Sequence, residues 1–312
     1  MKNRVNMGQI KIPEECVMMK LIADSSSDRP VIPGADVHYV PLVVSTDECS
    51  FVDDEHLDPK QMLAHLAQHK GRSYTACPSV DGWLQAYQGG DEIYAVTITS
   101  TLSGSYNAAM AARELYLQKY PDAKIAVFDS LSTGPELRLI LEKLQSLTAQ
   151  GLPFDQVEAQ VREYQKHTRL LFCLQSLHNM AQNGRVSKMA AAAVGMLGIR
   201  IVGTASDEGT LQQLAKCRGD RKALPELIEH MRQAGYTGGR ARVTHVQNPA
   251  LADAFVSQLR AAWPEADVVV APSSGLCSYY AESGAVMVGF ETEHTPNARC
   301  FAAAGIFVPW GS

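Results

Sequence analysis

The chain has 312 residues, 46% hydrophobic and 20% charged, with a formal net charge of −5. This is the usage of a globular protein long enough for two domains. It lacks the basic surplus needed to neutralise phosphates, which excludes nucleic acid as the main partner. Seven scattered cysteines (16, 49, 77, 173, 217, 277 and 300) form no Cys-x-x-Cys. That pattern fits reduced thiols in a cytoplasm, and neither a disulfide framework nor a zinc site is expected. The polar first fifteen residues do not read as a signal peptide, and the longest apolar run, 189–199, is too short to cross a bilayer.

In chain order, residues 1–16 read as a leader. Cys16–Ala23 is a first strand, closed by the turn and cap residues of Asp24-Ser-Ser-Ser-Asp28. Val37–Val44 is a second strand in which Pro41 marks an edge or a bulge. Asp58-Pro59 opens a helix, and Thr75-Ala-Cys-Pro-Ser79 is a hydroxyl-bearing loop before a helix at 80–88. A strand at 92–98, a helix at 104–119, a strand at 123–128, the turn Asp129–Gly134 and a helix at 135–150 follow. Strands alternating with helices of this length predict a doubly wound, mostly parallel sheet over residues 17–152.

The second half changes pattern. A helix at 154–167 and a strand at 170–174 precede Ser176–Ser187, read as a short helix with an Asn183-Gly184 stop. Then come a helix at 188–195, strands at 197–205 and 210–217 around the turn Asp207-Glu-Gly209, and a helix at 220–234. A strand at 240–246, a helix at 249–262, a strand at 266–271, a helix near 275–283 and a strand at 285–290 complete a mixed α+β domain over 153–291. Residues 292–312 form an apolar tail without clear period.

The candidate site is built around Tyr94–Asn107. An apolar strand ends at Thr99-Ser100-Thr101, and Ser103-Gly104 opens an Ala/Leu/Met-rich helix. Ser103 is a natural N-cap, and Gly104 allows close approach to the backbone. A helix N-terminus with free N–H groups and hydroxyls suits an anion, whereas the same residues in isolation are an ordinary capped helix. Similar clusters lie at Asp24-Ser25, Thr75…Ser79 and Asp129-Ser130. In an open parallel sheet such positions gather along one edge, where ligands bind. No Gly-x-Gly-x-x-Gly, Gly-Lys-Ser/Thr or Gly-x-Ser-x-Gly occurs, so nucleotide binding and serine-hydrolase chemistry lack their signatures.

These landmarks, in order from about Lys20 to Phe290, resemble the DegV family of lipid-binding proteins, which includes the fatty-acid-binding subunits of bacterial fatty acid kinases. The matching segments are Ile22-Ala-Asp-Ser-Ser-Ser27, Thr75-Ala-Cys-Pro-Ser79, Thr99-Ser-Thr-Leu-Ser-Gly-Ser-Tyr106, Asn183-Gly-Arg-Val186, Lys216-Cys-Arg218 and His245-Val-Gln-Asn248. One departure is Tyr280-Ala-Glu-Ser-Gly284, where the family commonly carries His-Thr-Gly-Pro-Gly. Tyrosine donates one hydrogen bond but carries no positive charge.

The resemblance implies a long-chain fatty acid, its tail in a tunnel inside the α/β domain and its carboxylate held at the helix N-terminus. It places Thr75, Ser103 and Gly104 on the carboxylate, with Ser100 and Ser79 outside them. Asp24, Ser25, Ser130, Tyr280 and His245 would support the head group, although His245 also reads as a structural histidine. Arg185, Lys216, Arg218, Arg221 and Lys222 would form a basic face for phosphate or for an acidic partner, or else are solvated surface charges. Met110, Met180, Met189 and Met196 read as core filling. The implied role is a carrier that is not itself an enzyme, presenting the fatty acid to an ATP-dependent kinase subunit for acyl-phosphate formation, with no cofactor and no metal. The alternative is an enzyme that transfers phosphoryl groups itself, by fold relation to dihydroxyacetone kinases. It lacks a nucleotide signature and an obvious carboxylate cluster for Mg²⁺.

Overall fold

The computed structural model describes residues 17–186 and 198–293. The leader at 1–16, the helix expected at 188–195, Met189, Met196 and all but the first two residues of the tail at 292–312 lie outside them.

The first half is a four-stranded, wholly parallel sheet in the order β2-β1-β6-β7. Its strands are β1 (Met19–Asp24), β2 (Val37–Val40), β6 (Glu92–Thr97) and β7 (Lys124–Asp129). After β1 the chain moves to one side for β2 and later to the other for β6, so the order reverses between β1 and β6. The expected strand 37–44 is two strands. Pro41 lacks the N–H a ladder needs, and beyond it the chain leaves the parallel sheet. There β3 (Val43–Ser45) joins β4 (Ser50–Val52) and β5 (Tyr74–Ala76) in an antiparallel three-stranded sheet ordered β4-β3-β5. The loop predicted at Thr75 therefore begins as a strand. Its register places Thr75 opposite Val44.

Helices α1 (Pro59–Gln68), α2 (Val80–Tyr87), α3 (Ser105–Lys119) and α4 (Pro135–Ala149) stand where the spacing predicts them. On α4 the buried Leu137, Ile140, Leu141, Leu144 and Leu147 share one core with the parallel sheet. The polar side of α4 meets the second half, where Glu142 pairs with Arg242 at 2.8 Å and Gly289 lets its strand come close to the start of the helix.

That second half carries α5 (Phe154–Gln165) and a six-stranded mixed sheet. Its strands are β8 (Thr168–Leu174), β9 (Ile199–Ala205), β10 (Leu211–Arg218), β11 (Arg240–His245), β12 (Asp267–Pro272) and β13 (Val286–Glu291), in the order β10-β9-β8-β13-β11-β12. Only β11 and β12 pair in parallel. Along β8, Leu171 and Cys173 pack in one core cluster with α7 (Asp220–Gln233) and α8 (Pro249–Ala262). Leu170, Phe172 and Leu174 point the other way, into a cluster with α6 (His178–Gln182) and α9 (Gly275–Ala281). The period of two makes β8 a wall with two apolar faces. The second face looks toward the first half.

Candidate functional site

The polar end of the site is assembled by three local devices. At the first, Asp24 sits fully buried where the strand order reverses and accepts from Ile98 N (2.9 Å) and Ser105 Oγ (2.6 Å). Burial raises its pKa, while the hydrogen bonds from Ser105, Ser26 and Ile98 oppose that rise. Asp24 thus ties the start of α3 to the ends of β1 and β6, and fills with its own carboxyl the crevice in which open sheets usually bind ligands.

At the second device, Gly104 is the N-cap of α3 and supplies no side-chain cap. Ser103, expected as the cap, stands one residue earlier, and its Oγ accepts from Ser105 N at 3.3 Å. A Cβ on Gly104 would lie 3.1 Å from Cys77 Sγ, so any larger residue would press on the thiol that follows β5.

The third device is α9, whose N-terminus is held by Asp53: Gly275 N and Leu276 N each donate to it at 2.9 Å. Asp53 is buried beside Arg29 Nε at 3.5 Å, and burial drives its pKa up against those hydrogen bonds and the arginine. The helix so fixed delivers Tyr280, whose hydroxyl lies 2.7 Å from Thr75 Oγ1. Burial raises the Tyr280 pKa, so its hydroxyl stays protonated and neutral.

These groups border a cavity of about 300 Å³. Thr75, Cys77, Ser103, Gly104, Tyr280 and Arg185 form its polar side, and among the described residues Arg185 is the only charged one in its lining. The chain turns back at Gly184 (φ 74°), a position that favours glycine, which lets Arg185 Nε donate to Leu102 O at 3.2 Å. Among the described residues Arg185 has no carboxylate partner. Leu170, Phe172, Leu174, Leu211, Leu276 and Met287 supply much of the remaining wall, with Leu42, Ile98 and Leu102 opposite. A cation and four hydroxyls (Thr75, Ser103, Thr133 and Tyr280) in an otherwise apolar slot suit an anionic head on an apolar tail. Among the described residues no Asp or Glu lines the slot to hold Mg²⁺, so the phosphoryl-transfer alternative finds no support in them.

The cavity corrects one expectation. It lies between the two halves of the chain, not inside the parallel-sheet domain, because the outer face of β8 has no other cover. Of the residues expected at the carboxylate, Thr75, Ser103 and Gly104 come together, joined by Tyr280 and by Arg185, which was assigned to a partner face. The others do not line it. Ser79 is exposed and caps α2 through Gly82 N at 3.1 Å. Ser100 N donates to Asp129 Oδ1 at 3.1 Å. The Ser25 hydroxyl accepts from Leu42 N, and that of Ser130 donates to Ser132 O. His245 ends β11 and accepts from Asn248 N through Nδ1 at 3.3 Å. Thr99 and Thr101 both donate to Gly209 O, clamping the β9–β10 turn to the first half. Lys216 and Arg218 are exposed on the edge strand β10, and Arg221 and Lys222 on the first turn of α7. Met180, read as core filling, lines the cavity, whereas Met110 packs at the α2–α3 core. The apolar wall was missed; the alternation in Leu170–Leu174 was its only sequence signal.

Known proteins share this fold. A DegV domain-containing protein of Streptococcus pneumoniae is 42% identical over 278 residues, covering 88% of this chain and 99% of its own. Among solved structures, a DegV family protein from Eubacterium eligens loaded with heptadecanoic acid superposes with a TM-score of 0.86 at 49% identity, covering 88% of this chain and 100% of that one. The Streptococcus pneumoniae fatty acid kinase (Fak) B3 protein loaded with linoleic acid gives the same TM-score at 41% identity, covering 89% and 100%. The model of the family described as "Uncharacterised protein, DegV family" matches residues 18–293, and the chain belongs to that family.

Proposed function

We propose that this protein binds a long-chain fatty acid in the inter-sheet cavity and presents its carboxylate to an ATP-dependent fatty acid kinase subunit, which forms the acyl phosphate. The observation that carries this reading is the cavity's division into an apolar slot and a polar side holding Arg185, Thr75, Tyr280, Ser103 and Gly104. Burial contributes about 0.8 kcal/mol per methylene, so roughly fourteen methylenes supply on the order of 10 kcal/mol before ordering costs. The tail gives affinity and the polar side gives orientation. Arg185 and the N-terminus of α3 favour the charged carboxylate. Exposed Lys216, Arg218, Arg221 and Lys222 supply a basic surface for the kinase or the phosphate. The protein carries out no chemistry itself and uses no cofactor. The described cysteines are all free, which suits a reducing cytoplasm, and no described helix is long and apolar enough to cross a membrane.

Mass spectrometry of protein purified without added ligand tests the reading. A co-purified fatty acid near one equivalent, and acyl-phosphate formation when a fatty acid kinase and ATP are added, are the expected results. No lipid, together with no binding of oleate or palmitate, would overturn it.

A further inference from the structure

Away from the cavity, the turn between β3 and β4 meets the C-terminal end of α1. Thr46 pins the turn: its Oγ1 accepts from Glu48 N (3.2 Å) and Cys49 N (3.1 Å), and its own N–H donates to Cys49 O (2.8 Å). His65 lies in the last turn of α1, and His69 is its C-cap. The two rings stack with centroids 6.1 Å apart, and Phe51 packs its edge on His65 at 5.4 Å. Glu48 faces both rings, with Oε2 3.7 Å from His65 Nε2 and Oε1 3.7 Å from His69 Nδ1. On the far side of the His69 ring, Asp47 Oδ1 stands 2.9 Å from Nε2.

We propose that Glu48, His65 and His69 form a site for a borderline-soft divalent cation, Zn²⁺ foremost, with Asp47 orienting His69. A pair of histidines four apart at one helix end, plus a carboxylate from a facing turn, is a donor set that suits Zn²⁺. One ligand atom from each of the three lies within 4.8 Å of the others. Tetrahedral Zn²⁺ with bonds near 2.1 Å separates its ligand atoms by about 3.4 Å, so ligand atoms within 4.8 Å of one another must draw together by up to about an ångström, which rotation of the exposed Glu48 and the half-buried His65 can supply. The His69 ring is the independent sign. Its side chain is only 5% exposed, with Nδ1 toward Glu48, and its Nε2 is buried without a hydrogen-bond partner although Asp47 Oδ1 stands 2.9 Å away. A small rotation of the exposed Asp47 side chain would let it accept from that N–H, the arrangement that fixes the tautomer of a ligating histidine. The Cys49 thiol, 3.5 Å from His65 Nε2, is the nearest group for the fourth position. A cation here would tie the β3–β4 turn to the end of α1, immediately before β5 and its Thr75.

Zinc titration of the full chain, stripped with a chelator and followed by competition with a chromophoric chelator, tests the site. One equivalent of Zn²⁺ is expected to bind, with a rise in thermal midpoint that Mg²⁺ does not produce. Glu48→Gln and Asp47→Asn are substitutions at exposed side chains that the fold tolerates, and each is expected to weaken binding at least tenfold. His65→Gln is expected to remove the zinc-dependent rise while leaving the metal-free midpoint nearly unchanged. Less than half an equivalent of zinc, or wild-type affinity in Glu48→Gln and His65→Gln, would overturn the proposal and leave the cluster as ion pairs.

Discussion

The pair Thr75–Tyr280 gives the sharpest test of how the carboxylate is held. Their hydroxyls are 2.7 Å apart, so one donates to the other. With a carboxylate bound, Tyr280 is expected to donate to Thr75, and Thr75 to pass its own proton toward the ligand. Thr75→Val removes the charge-assisted bond, worth about 2 kcal/mol, or roughly a thirtyfold loss of affinity. Valine is isosteric and suits a strand, and the cross-strand partner Val44 is unchanged, so folding should be preserved. Tyr280→Phe keeps the ring against Tyr279 at 4.9 Å and leaves Thr75 its donor, so its expected cost is about 0.5–1 kcal/mol. Once Thr75 is valine, losing the tyrosine hydroxyl should cost almost nothing. The double variant should therefore show a coupling of at least about 0.5 kcal/mol. Dissociation constants come from displacement of a fluorescent fatty acid on delipidated protein, with circular dichroism as the folding control. A change below threefold for Thr75→Val would place the carboxylate elsewhere, and strict additivity would break the relay.

Three further outcomes follow from the buried groups. Asp28 Oδ2 is buried and accepts no hydrogen bond, and burial lifts the Asp28 pKa from 3.8 to about 7. The folded protein then binds the proton more tightly than the unfolded chain. Its contribution to stability is complete below pH 4 and is lost as pH rises through 7, by at most about 4 kcal/mol. Asp28→Asn, which can still accept from Ser274 N and suits the φ of 63°, should match wild type near pH 4 and exceed it at pH 8; parallel stability–pH curves would contradict this. Asp53→Ala strips the N-terminus of α9 and leaves Arg29 unpaired, with an expected loss of about 3–5 kcal/mol in denaturant unfolding and of fatty acid retention together; a loss below about 1 kcal/mol would refute that role. Met287→Ala enlarges the cavity wall at a cost of about 2–5 kcal/mol, and should shift the bound acyl population toward longer chains by mass spectrometry; an unchanged population would remove Met287 from the tail's path.

The element order was legible because the parallel sheet depends on local signals. Apolar runs of six residues, caps such as Asp58 and Ser79, and helices of ordinary length all act within a few positions. What escaped were features decided by partners remote in sequence. The three-residue strand β4 has the burial pattern of an exposed edge, and only its ladder to β3 makes it a strand. Pro41 announced a break, but whether the chain resumed in the same sheet depended on where β5 would lie.

The same distinction explains the site. A hydroxyl beyond a strand end can bond its own loop or a ligand, and the two uses look identical in sequence. Ser130 took the first use, Ser25, Thr99 and Thr101 bond protein groups farther along the chain, and Asp24 closed the crevice the strand order opens. Thr75 and Ser103 line the cavity because nothing in their own half covers them, and the groups that face them are distant in sequence. Tyr280 reaches Thr75 from 205 positions away, and Arg185 reaches Leu102 from 83. The cavity therefore belongs to the seam between the halves. A substitution on the β8 face, such as at Phe172 or Leu174, should affect lipid binding as directly as one at the helix N-terminus, since the sheet supplies the apolar wall and α3 only the end of it.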